Sequence, residues 1–89
     1  MPRMPHGDFS MTVSDVFVLA GRGVVVSGQA GQGEFRSGQI AQIWHGNRLL
    51  GTSVAYVEMH VRPGMVALLL TDPTVPIQPG HVIRISPPG

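Results

Sequence analysis

The sequence predicts an all-β fold, a two-sheet sandwich or a closed barrel, with the barrel favoured. Three observations carry this. Apolar residues alternate with polar ones or run in short β-branched stretches, the period-2 pattern of strands. Nowhere do they recur at helical spacing for three turns. Twelve glycines and eight prolines divide these stretches at intervals of roughly 6–12 residues, as in all-β sandwiches and barrels. The barrel is favoured because 89 residues can scarcely blunt the edges of an open sandwich.

Residues 1–8 read as a leader, with two prolines and a glycine. From Phe9 the chain alternates: Phe9, Met11 and Val13 apolar, Ser10, Thr12 and Ser14 polar. Asp15 interrupts the apolar face, and Phe17 and Leu19 resume it. Ala20–Gly23 is expected to turn, because glycine takes positive φ at little cost. Gly23–Ser27 is β-branched and reads as a buried strand. Gly28–Gly33 reads as a second glycine turn, and Phe35–Gly38 as a short strand. Gln39–Trp44 is the next strand, and His45-Gly46-Asn47 a hairpin loop. Leu49–His60 is a long strand that places Ala55, Val57 and Met59 on one face and Tyr56, Glu58 and His60 on the other. Arg62-Pro63-Gly64 turns the chain into the apolar strand Val66–Leu70. A proline-rich loop, Asp72–Pro76, and the Pro79-Gly80 turn lead to a last strand, His81–Ile85. Residues 9–86 thus form one domain, and 87–89 a tail.

Composition narrows the function classes. Hydrophobic residues make up 43% of the chain and charged residues 12%, too apolar and too weakly charged for a disordered segment. A net charge of +1 supplies no long-range field for nucleic acid, so any RNA contact must be local. All six basic residues are arginine. Without lysine there is no Walker-type phosphate loop and no Schiff-base chemistry. Without cysteine there is no disulfide, thiol catalysis or thiolate metal site. No stretch approaches the roughly 20 apolar residues of a membrane span, and residues 1–6 lack the apolar core of a secretory signal. A cytoplasmic protein without cofactor is expected.

No HExxH or GxSxG motif occurs among the four histidines and five acidic residues. Glu58 and His60 could supply two metal ligands at strand spacing, but zinc takes three or four from protein. Neither a metal site nor catalysis is expected. The run GRGVVVSG, Gly21–Gly28, is no phosphate cradle, because a strand follows its glycines and no helix N-terminus does.

The run DVFVLAGRGVVVSG (Asp15–Gly28), FRSG (Phe35–Gly38), VEMH (Val57–His60), ALLL (Ala67–Leu70) and IQPGHVI (Ile77–Ile83) follow in that order. In order and spacing the chain resembles the second domain of elongation factor Tu and related translational GTPases, over residues 9–83. The resemblance implies a closed six-stranded antiparallel Greek-key barrel of the translation-protein class. Gly21, Gly23, Gly28, Gly38 and Gly80 would serve its turns. It also implies an outer surface that holds the 3′ end of tRNA, with Glu58 and His60 at the terminal adenosine, Tyr56 beside them, and Arg22 on a turn towards neighbouring domains. The family commonly has an arginine where this chain has Val61, and a longer polar stretch before the apolar strand. No nucleotide-binding segment precedes the barrel here, so GTP binding by this chain is not expected.

Ile40 and Trp44 face outward at positions where the family often has carboxylates, which marks a protein-contact surface. Two non-enzymatic functions are therefore expected. One is weak binding of RNA, of tRNA ends or of a ribosome-associated component through Tyr56, Glu58, His60 and Arg22. The alternative is a protein–protein module, self-associating or not, that has lost the tRNA site.

Overall fold

A computed structural model describes residues 9–58 and 63–85 of the chain. Seven strands are present among them and no helix: β1 (Ser10–Thr12), β2 (Asp15–Leu19), β3 (Gly23–Gln32), β4 (Ile40–His45), β5 (Arg48–Glu58), β6 (Met65–Leu70) and β7 (Val82–Ile85). All pairings are antiparallel, and the sheet order is β1-β7-β4-β5-β6-β3-β2. β1 pairs additionally with β3, Ser10 opposite Gln32 and Met11 opposite Ala30, with an irregularity between the two pairs. The expected leader and tail lie outside the described residues.

Alternation sets the two faces of the sheet. Met11, Val26, Ala41, Ile43, Ala55, Leu68, Leu70 and Ile83 all point inward and pack into one core with Phe9, Val13, Phe35, Ile77 and Ile85. Phe35 meets Phe9 edge to face, with ring centroids 5.4 Å apart, an arrangement favoured by the ring quadrupoles.

Three expectations are corrected. The first is strand number, seven in place of six. Val13 and Ser14 interrupt the first alternating segment, so that β1 pairs with β7 while β2 folds back on β3. The second is the segment Phe35–Gly38, which is a loop rather than a strand. It nevertheless supplies strand-like bonds: Gly38 N–H donates to the Ala55 carbonyl at 2.8 Å, and Val57 N–H donates to Ser37 Oγ at 2.8 Å.

The third is Gly28, which is not a turn residue. β3 runs straight through it to Gln32. A Cβ on Gly28 would collide with the Thr12 carbonyl, so glycine is needed there for the close approach of β1, not for its freedom of φ. The other expected turn glycines do take positive φ: Gly21 (77°), Gly38 (96°) and Gly80 (96°) lie in turns or bends of the loops, and Gly23 (138°) opens β3 against the Leu70 carbonyl.

Candidate functional site

The outer face is built from registers. β2, β3, β6 and β5 lie side by side, and cross-strand partners point to the same face. One transverse row reads Phe17, Val25, Leu69, Tyr56. Its ends are open, Phe17 being 57% exposed and Tyr56 43%. Leu69, flanked by Val25 and Tyr56, is only 8% exposed. Two positions back along β5, Val54 lies on the same face opposite Ile40 of β4, and both are exposed. The result is an apolar band across five strands, from Phe17 on the edge to Ile40.

The backbone beneath this band is held on both sides. Tyr56 pairs with Leu69 of β6. On the other flank the Ala55 carbonyl accepts from Gly38 N–H, and Ala55 N–H donates to the Gln39 carbonyl at 3.0 Å. The Val54 carbonyl accepts from Thr71 N–H (3.0 Å), Thr71 Oγ1 (3.1 Å) and the buried Ser53 hydroxyl (3.0 Å). The surface is therefore pre-organised, which lowers the ordering cost of binding.

The residues singled out from sequence are only partly brought together. Tyr56 lies on the exposed face near the C-terminal end of β5. Glu58 follows on that face, half-buried, opposite Ala67 and level with Ser27 and Asp15. His60 lies outside the described residues. Arg22 is exposed on the β2–β3 turn, where its N–H donates to the Leu19 carbonyl at 2.9 Å. The five residue steps along β3 from Arg22 to Ser27 set it ~17 Å from the level of Glu58 along the strand. Arg22 and Glu58 do not form one site.

Ile40 and Trp44 both face outward, with Gln42 between them on that face. They differ in environment. Ile40 joins the apolar band through Val54. Trp44 is half-buried: its Nε1–H donates to Gln42 Oε1 at 3.1 Å, and the Arg84 guanidinium lies 5.4 Å from its ring centroid, a cation–π distance.

One relationship was missed in sequence. His45 and His81 converge, with ring centroids 5.5 Å apart, because β4 pairs with β7 and sets Trp44 opposite Val82. His81 is buried, and its Nδ1 accepts from Gln78 N–H at 3.3 Å. That nitrogen is spent on the turn. Among the described residues no three histidine, aspartate or glutamate side chains come together to hold a metal ion, and no helix is long and apolar enough to cross a membrane.

The part played by Phe17 and Val54 was also not foreseen. Their apolar alternation was visible, but which strand neighbours lay beside them was not.

No protein-family model matches the chain, and no curated protein matches it.

Proposed function

We propose that this chain is a non-enzymatic interaction module whose outer face, from Phe17 through Tyr56 to Ile40, binds a protein. The observation that carries the reading is the row Phe17–Val25–Leu69–Tyr56, open at both ends on a braced backbone. Tyrosine and phenylalanine are favoured contact residues, since they bury large area for little rotamer entropy. The net charge of +1 suits a protein partner better than a polyanion.

The proposal includes the finer fold. The β1–β3 pairing brings the first strand of the order beside the next-to-last one, which supports closure of the sheet into a Greek-key barrel of the translation-protein class, with β2 as an added arm. It also includes a cytoplasmic setting and no catalytic role. A second reading, weak binding of tRNA ends, is supported by the exposure of Tyr56 beside Glu58 on the face that the resemblance assigns to the terminal adenosine. A tyrosine ring can stack on a base and a carboxylate can accept from a ribose hydroxyl.

Paired baits test the first reading. Wild type and a Phe17→Ser, Tyr56→Ser variant are incubated with cell extract, with and without ribonuclease. A protein retained by wild type in both conditions and lost with the variant is expected. Retention that vanishes with ribonuclease turns the account to the second reading.

A further inference from the structure

β2 ends the sheet, and among the described residues no strand pairs with its outer edge. Natural sheets protect such an edge with lysine, proline, a bulge or a covering segment. Asp15–Leu19 contains neither lysine nor proline, pairs with β3 in unbroken register, and exposes Val18 to 77%.

Alternation decides which backbone groups are free. The Leu19 carbonyl points into the hairpin, where it accepts from Arg22 N–H. Every second residue of an antiparallel strand bonds the same neighbour, so Phe17 and Asp15 are turned towards β3 with Leu19. Val16 and Val18 then direct their N–H and C=O groups to the open edge.

We propose that two copies of the chain pair antiparallel through these edges, about a two-fold axis at Phe17. The register is self-complementary. Val16 lies opposite Val18 of the second copy, and Val18 opposite its Val16, so both free donor–acceptor sets are satisfied. Phe17 faces Phe17 of the second copy in the non-hydrogen-bonded position, where side chains come closest. Asp15 falls level with Leu19 of the second copy, beside the turn that carries its Arg22, so opposite charges meet at each end of the joint. The two-fold keeps both outer faces on one side, so the Phe17–Tyr56 row continues across the joint into its counterpart. The near-neutral net charge leaves little repulsion between copies. This arrangement rests on the reading of the chain as an interaction module and adds a second copy at its open edge, which leaves the outer face free for another protein.

Sedimentation equilibrium over a wide concentration range tests it, with charge exchange at the axis. Wild type is expected to form dimers. Phe17→Lys and Phe17→Asp each oppose like charges at the two-fold and should weaken dimerisation about tenfold or more, whereas their equimolar mixture should recover it. Val18→Pro, which removes a donor that β3 does not use, should also be monomeric with an unchanged circular dichroism spectrum. A wild type that stays monomeric throughout overturns the proposal, as does equal dimerisation by Phe17→Lys, Phe17→Asp and wild type. The broader module reading is judged separately, by whether the paired baits retain a different protein.

Discussion

Phe17 and Tyr56 lie in one transverse row of the sheet, separated only by Val25 and Leu69, although 38 positions of sequence lie between them. Their side chains frame Leu69, which is nearly covered although it lies on the outer face. A contact surface of this kind can lose its ends without losing the fold, and that separates function from stability experimentally.

The Phe17→Ser, Tyr56→Ser variant should lose partner binding while its stability changes little, because exposed positions typically contribute within about 0.5 kcal/mol each. Leu68→Ala is the contrast. Leu68 is fully buried on the opposite face of β6, and its truncation should cost about 2–5 kcal/mol. Thermal melts should show a fall of roughly 4–8 °C per kcal/mol for a domain this small.

Gly28→Ala should destabilise more than an ordinary glycine-to-alanine change, by about 1–3 kcal/mol as for other overpacked sites. The added Cβ meets the Thr12 backbone, which cannot rotate away as a side chain would. Gly21→Ala meets nothing but carries the strain of a positive φ. Hydrogen exchange separates the two: Gly28→Ala should loosen β1 selectively, and Gly21→Ala the tip of the β2–β3 hairpin.

Arg84→Met should weaken the packing of Trp44 by about 0.5–1 kcal/mol, the usual worth of an exposed cation–π contact. A double-mutant cycle with Trp44→Leu reads the coupling. Tryptophan fluorescence should change with Arg84→Met and stay constant with Phe17→Ser, because Phe17 lies at the far edge of the sheet.

The chain should show no saturable GTP binding at micromolar nucleotide. It has no lysine to reach a phosphate, and its glycine turn leads into β3 rather than into a helix. Equilibrium dialysis with labelled nucleotide measures this directly.

Strand content was legible because inward residues such as Ala41, Ile43, Leu68 and Leu70 alternate or cluster as buried strands do. Glycine-rich Gly28–Gly33 misled, since local propensity favours a turn there, while the approach of β1 makes glycine the residue that fits a strand. Tyr56 and Ile40 were visible as outward positions of single strands. Their union with Phe17 and Val54 depends on registers between strands distant in sequence, which no local pattern encodes. The His45–His81 contact was hidden for the same reason, resting on the β4–β7 pairing. Arg22 was grouped with Glu58 because the resemblance gives both a contact role, but strand length separates them.

The central claim is that the outer band is the binding surface, and hydroxyl-radical footprinting of the captured complex tests it most directly. Phe17, Tyr56 and Leu49 are all exposed in the free chain, and Leu49 lies opposite Trp44, away from the band. The account predicts that Phe17 and Tyr56 lose reactivity on binding while Leu49 keeps it. Protection of Leu49 with Phe17 and Tyr56 unchanged would contradict it.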